Sequence, residues 1–423
     1  MADFNAVLAA INAVLWHDGV LLVVLGTGVV FTIWSRFCQY RALTHGVRVI
    51  RGSYDDPNDP GAINHFQALS AALSATVGLG NIGGVALAIT LGGPGAVFWM
   101  WIVGLFGMSL KLTEVGLSML YRNTDDPDNP HGGPMWVVSK GLGRLNPQLA
   151  STGRTIGAVF CMTLLVSTAT GGNMFQAWNV GEITSEYFGI PQVVCGIVLA
   201  ILVGMVIIGG IKRIGAVAGR LVPIMVTLYL LAGTYVLVMS ADQIPLMFAL
   251  IVSSAFSPQE ATGAFIGGTA AYAFLFGMKR ALFSNEAGQG SSPIAHSAAK
   301  TDEPIREAVV AGLEPFIDTI VVCTFTALVI LSTGIWNRAP EAVYDPPPAF
   351  VPAGAAEWSL ETLPAPQRNV DTWRAGDIVF VIYRGDENPQ SANRLHRLEG
   401  RVIAENGTLL IEWPSFTSNA QPQ

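Results

Sequence analysis

The residues able to do chemistry in this chain sit inside apolar stretches, where polar groups are costly to keep. Ala75-Thr76-Val77-Gly78-Leu79-Gly80-Asn81-Ile82-Gly83-Gly84 puts an amide and four glycines within one apolar run. Such a run weakens a helix, and unwound backbone at membrane depth is tolerated where it lines a cavity. There the positive end of a half-helix faces a carboxylate, and freed carbonyls coordinate a cation. The same glycines also suit close helix packing, since Gly80 and Gly84 form a small-xxx-small pair. Asn173 and Gln176 lie three apart and so share one helix face; they serve either a pocket or interhelical hydrogen bonds. A further interruption, Gly267-Gly268-Thr269, leads to the polar run Ser284-Asn285-Glu286-Ala287-Gly288, read as a cytoplasmic mouth or as a capped loop. Lys111 and Glu114 are an i, i+3 pair, and Glu314 and Asp318 an i, i+4 pair. Ionisable groups within spans are functional candidates. These four stand near an interface, where snorkelling is cheap, so structural or gating roles rank above ion binding for them; Glu114 and Asp318, with Asn285 and Glu286 of the polar run, are the candidate gate.

The elements that must hold these residues are membrane spans. The 423 residues are 51% hydrophobic and 13% charged, with a mean hydropathy of +0.47, against about 25% charged in an average soluble domain. No Lys or Arg occurs between Arg154 and Lys212 or between Arg220 and Lys279. Apolar runs give eight expected spans near 18–35, 66–90, 95–118, 155–178, 192–211, 217–240, 262–284 and 311–333, most near the 20 residues or so that cross a bilayer. Residues 1–17 read as an amphipathic interfacial segment. Before residue 338, Lys and Arg fall only in alternate loops, among them Arg36, Arg122, Lys212 and Lys300, so odd spans run inward and both termini are expected outside. Nucleic-acid binding is not indicated, because no basic patch with interleaved aromatics occurs. The four cysteines are far apart and read as packing residues, and no His or Cys pair has metal-ligand spacing. No nucleophile–base pair argues for an enzyme.

Beyond residue 336 the composition changes. Residues 337–371, with Pro346-Pro347-Pro348, read as an extended linker, and 372–416 as a small extracytoplasmic β unit. Asn406-Gly407 between Arg401–Glu405 and Thr408–Trp413 is a hairpin signal, because both turn residues must reach positive φ.

Gly92-Gly93-Pro94-Gly95-Ala96-Val97-Phe98-Trp99-Met100-Trp101, the Gly78–Asn81 stretch, Gly172–Gln176, Ser284–Gly288 and Phe316-Ile317-Asp318-Thr319 together resemble the signatures of the alanine or glycine:cation (sodium:alanine) symporter family, over roughly residues 18–336. The resemblance implies an all-α polytopic membrane protein of the five-plus-five inverted-repeat (LeuT-like) type, in the inner (plasma) membrane of a bacterium. It implies import of alanine, glycine or a similar small amino acid with Na⁺, by alternating access and without any cofactor. On that resemblance Thr76, Gly78, Gly80, Asn81, Asn173, Gln176, Gly268 and Thr269 would hold the substrate. Gly78, Asn81 and Thr269 would hold Na⁺. Members of the family continue with about three more spans after the Phe-Ile-Asp-Thr span, which this chain lacks. Hence the alternatives of a truncated chain, of a partner supplying further spans, and of a transporter-derived binding or sensor protein.

Overall fold

The computed structural model describes residues 10–11, 14–256, 270–337, 342–354, 357–368, 372–386, 395–405, 407–418 and 422. Up to residue 337 the regular elements among the described residues are helices. In order they are α1 (Asp18–Trp34), α2 (Cys38–Ile50), α3 (His65–Thr76), α4 (Leu79–Gly92), α5 (Gly95–Tyr121), α6 (Pro134–Leu145), α7 (Pro147–Phe188), α8 (Gln192–Ile207), α9 (Gly210–Met239), α10 (Ile244–Ser254), α11 (Ala270–Asn285), α12 (Ser292–His296) and α13 (Pro304–Ser332). Among the described residues three stretches are π-helical, Ala42–Gly46 within α2, Thr168–Met174 within α7 and Phe316–Cys323 within α13.

Local sequence sets the breaks. Asn64 caps α3 by accepting from Gln67 N at 2.8 Å while the Gln67 side chain accepts from Asn64 N at 3.2 Å, a reciprocal capping box. Between α3 and α4 the axis bends by 41°, at Val77 and Gly78, so the expected second span is one broken element. Gly93 ends α4 at φ +75°, a conformation glycine adopts freely, and Pro94 follows where no donor is needed.

The long helix α5 is the axis of the bundle and packs against α1, α4, α11 and α13. Its 27 residues rise about 40 Å, more than the ~30 Å of bilayer hydrocarbon. Val85, Ile89, Met100, Ile251, Met278 and Leu331 belong to one buried core shared by α4, α5, α10, α11 and α13. Helix α11 approaches α5 so closely that a Cβ on Gly277 would stand 2.4 Å from the Ala96 carbonyl oxygen. Helices α7, α8 and α9 form the rim. Their Leu165, Leu202 and Leu228 are more than half exposed, an apolar surface suited to lipid.

Eight spans were expected. Among the described residues four helices are long and apolar enough to cross a membrane, or six when each bent pair counts as one span. α8, with 16 residues, is too short by that measure. The expected seventh span begins in residues outside those described. α10 was not anticipated.

The tail carries two antiparallel three-stranded sheets, β1-β2-β6 and β3-β4-β5. The strands are β1 (Phe350–Gly354), β2 (Glu357–Leu360), β3 (Ile378–Arg384), β4 (Leu395–Glu405), β5 (Thr408–Glu412) and β6 (Phe416–Thr417). Glu405 pairs with Thr408 across the two-residue turn, where Gly407 has φ +78°. Leu360, Val379, Tyr383, Val402, Ile411 and Trp413 form a shared core. β1 and β2 fall inside 337–371, the stretch read as linker. Its apolar residues Phe350 and Leu360 face partners in this core, so that part of it is folded sheet.

Candidate functional site

The break between α3 and α4 brings Asn81 into a wholly buried polar cluster. Its side-chain carbonyl accepts from Gly78 N at 2.8 Å, which caps the start of α4. Its amide donates to the Asp318 carboxylate, to the Asp318 carbonyl at 3.2 Å and to Ser284 Oγ at 3.1 Å. Ser284 Oγ and Thr319 Oγ1 each donate to Asp318 Oδ2 at 2.9 Å. Asn285 Nδ2 donates to Thr319 Oγ1 at 3.0 Å. Three elements thus meet on one carboxylate: the broken α3/α4, the end of α11, and the π-helical part of α13. Gly80 faces this junction, since a Cβ there would lie 3.6 Å from Ser284 Cα. At the end of α3, the buried Thr76 hydroxyl has no hydrogen-bond partner. Among the described residues, no Lys, Arg or His forms an ion pair with Asp318. A buried carboxylate served only by neutral donors is an unbalanced charge.

The other expected site residues are distributed differently. Asn173 is exposed and Gln176 half-buried on α7, and among the described residues no hydrogen bond joins them to the Asn81 cluster. Helix α7 approaches it through Phe175, whose ring lies 6.4 Å from that of Phe283, the neighbour of Ser284. Gly268 and Thr269 lie outside the described residues. The four gate candidates separate. Asp318 and Asn285 belong to the Asn81 cluster. Glu286, at φ +53°, accepts from Ser291 Oγ, and Glu114 stands 3.8 Å from Lys111. Trp99 and Trp101 act in packing: Trp99 donates to the Ala255 carbonyl at 3.2 Å, and Trp101 to Thr324 Oγ1 at 2.6 Å. The Thr326 hydroxyl is taken by Tyr229 at 2.6 Å.

A second buried cluster lies toward the end of the bundle where the Lys- and Arg-bearing loops emerge. Glu307 joins His65 Nδ1 and His296 Nδ1. His296 Nε2 meets Glu314 Oε1 at 2.6 Å, and Ser292 Oγ donates to the same oxygen at 2.7 Å. Lys111 Nζ lies 3.3 Å from Glu314 Oε2. Burial pushes the His296 imidazole down, but the Glu314 charge and the bonds to Glu307 and Glu314 outweigh it and hold the group up at about 9. Nearby, Arg122 donates to the carbonyls of Ser297 at 2.8 Å, Ala299 at 2.9 Å and Thr301. Sequence reasoning missed His65, His296 and Glu307, and gave Ser284 no role beyond its place in the polar run. One signal was available: Glu307, Glu314 and Asp318 follow i, i+7, i+11, a single helix stripe.

A sequence profile described as the sodium:alanine symporter family matches residues 1–345. The sodium/alanine symporter AgcS of Methanococcus maripaludis is 42% identical over 333 residues, covering 79% of this chain and 72% of that one. The uncharacterized transporter YflA of Bacillus subtilis is 38% identical over 324 residues, covering 76% and 67% respectively. The probable sodium/glutamine symporter GlnT of Bacillus subtilis is 34% identical over 371 residues, covering 88% and 71%. These relatives are transporters rather than enzymes, and nothing in them supports a separate partner supplying spans. Family and apolar helices agree on an integral membrane protein, with Na⁺ as the coupling ion and an amino acid as cargo. On a match covering most of its length, this chain belongs to the sodium:alanine symporter family.

Proposed function

We propose that the chain imports a small neutral amino acid of the alanine or glycine type together with Na⁺, by alternating access around the broken α3/α4 element. The observation that carries this reading is Asp318, a buried carboxylate gathered by Asn81, Ser284 and Thr319 with no resident cation paired to it among the described residues. Na⁺ is a hard ion that takes oxygen ligands. The Asp318 carboxylate, the Ser284 and Thr319 hydroxyls and backbone carbonyls released at Gly78 supply such ligands next to the missing charge. The first amides of α4 have no intrahelical acceptor, and the helix dipole makes that end favourable for the substrate's carboxylate. Gly80 keeps the approach free of a side chain. Asn173 and Gln176, beyond Phe175 and Phe283, would line the far side of the substrate pocket.

In this reading the break at Gly78 and the Gly268-Thr269 interruption are the paired breaks of an inverted repeat, and Thr269 adds to the Na⁺ site. The orientation read from the Lys and Arg loops sets His65, Arg122 and His296 on the cytoplasmic side and both termini outside. AgcS, by its name a sodium/alanine symporter, supports alanine as cargo, while GlnT, named as a probable glutamine symporter, marks how far cargo ranges among relatives.

Uptake of labelled alanine into liposomes holding the purified chain tests this directly. An inward Na⁺ gradient is expected to drive accumulation, and Asn81→Ala to reduce it about tenfold or more, since the amide makes several contacts worth roughly 1 kcal/mol each. Accumulation that ignores the Na⁺ gradient in well-inserted protein overturns the coupling.

A further inference from the structure

Both ring nitrogens of His296 face carboxylates, Nδ1 toward Glu307 and Nε2 toward Glu314 at 2.6 Å. A neutral imidazole has one N–H, so one of these contacts would then set a lone pair against an anion. Only the imidazolium donates to both. His296 is wholly buried, as are Glu307 and Glu314. Through them it ties four elements: α3 by His65 on Glu307, α12 by its own position and Ser292, α13 by both glutamates, and α5 by Lys111 on Glu314. The remaining charged groups around it act elsewhere. Asp55 lies 3.9 Å from the far nitrogen of His65, Glu114 faces Lys111, Glu286 holds Ser291, and Arg122 grips the carbonyls that follow α12. A neutral His296 would leave two buried glutamates flanking an uncharged ring, an arrangement that opens rather than persists.

We propose that the His296 imidazolium is the pin of a seal over the inner mouth, and that losing its second proton frees α12 and the chain up to Thr301 from α13 and α5. His296 is thus a positioning residue for the opening step. Its link to transport rests on the symport reading above, while the seal itself does not. The group's value of about 9 in the sealed form, against 6.5 for a free imidazole, accords with this. Protonation favours the seal fully below 6.5. As pH rises from 6.5 to 9 the sealed-to-open ratio falls by up to about tenfold per unit, and then levels off.

The test is amide hydrogen exchange of the whole chain in lipid nanodiscs, corrected for intrinsic base catalysis, across that pH range. Protection of residues 292–301 is expected to fall with that slope in the native chain and in His131→Gln, an exposed control. It should be flat in His296→Gln, which retains donors without a titratable charge. Should that variant fail to fold, Glu307→Gln keeps the ring, removes one anion, and is expected to move the end of the transition to lower pH by about one unit. A flat native profile, or a His296→Gln profile that tracks it, overturns the proposal. Uptake by the same proteins reconstituted in liposomes separates the two readings. A sloping profile without Na⁺-driven uptake leaves the seal standing and removes the symport reading, whereas uptake with a flat profile does the reverse.

Discussion

The two buried clusters of this bundle use the same helix stripe in opposite ways. In one, Glu307 and Glu314 are matched by resident partners, His65, His296 and Lys111. One turn further along α13, Asp318 has only amide and hydroxyl donors. The first cluster balances its charge internally and so behaves as a lock. The second has no resident cation paired to its carboxylate among the described residues, which is what the proposed Na⁺ site requires. In the proposed function that unpaired carboxylate, beside the broken helix, carries more weight than the glycine motif does.

The largest expected effect comes from unbalancing the lock. Lys111→Met strips Glu314 of one of its two cationic partners and should destabilise the chain by about 3 kcal/mol, read as a lowered Tm in detergent with or without Na⁺. The contrasting change, Asp318→Asn, removes an unbalanced charge. It should leave Tm in Na⁺-free buffer unchanged or raised while Na⁺-driven uptake falls to background. If both variants lose stability alike, the two clusters are not different in kind. Next is pH. Because the sealed His296 lies at about 9, above its ordinary 6.5, its contribution is complete below pH 6.5 and is lost as pH rises through 9. Thermal stability in Na⁺-free buffer should decline over that interval, and His296→Gln should remove the decline. The smallest effect belongs to packing outside both clusters. Trp101→Phe loses the bond to Thr324 and should cost about 1 kcal/mol or less without changing Na⁺ dependence. A loss of Na⁺ coupling there would extend the site along α13.

Local features of this architecture were legible in the chain. Gly78 and Asn81 announced the break, Gly93-Pro94 the boundary between α4 and α5, and Gly407 the hairpin, because each depends on backbone preferences of a few adjacent residues. What joins those pieces was not legible. Asn81 and Asp318 are 237 positions apart, and His65 and Glu307 242. Spacing states which residues share a face but not which faces meet. Asn173 and Gln176 share a face as their spacing requires, yet among the described residues no hydrogen bond ties that face to the Asn81 cluster. Composition also misled in the tail. Three consecutive prolines suggested an extended linker, while Phe350 and Leu360 on either side of a turn had enough apolar surface to close a sheet against Tyr383 and Phe416.

The most direct test of the central claim, that a mobile cation completes Asp318, is the Na⁺-dependent stabilisation of the purified chain. Tm is compared in NaCl and in choline chloride for the native protein and for Asp318→Asn. A ligand at a hundred times its Kd stabilises by about 2.7 kcal/mol, so the native chain should gain several degrees in NaCl and Asp318→Asn none. An equal gain in both would contradict the account and move the Na⁺ site away from Asp318.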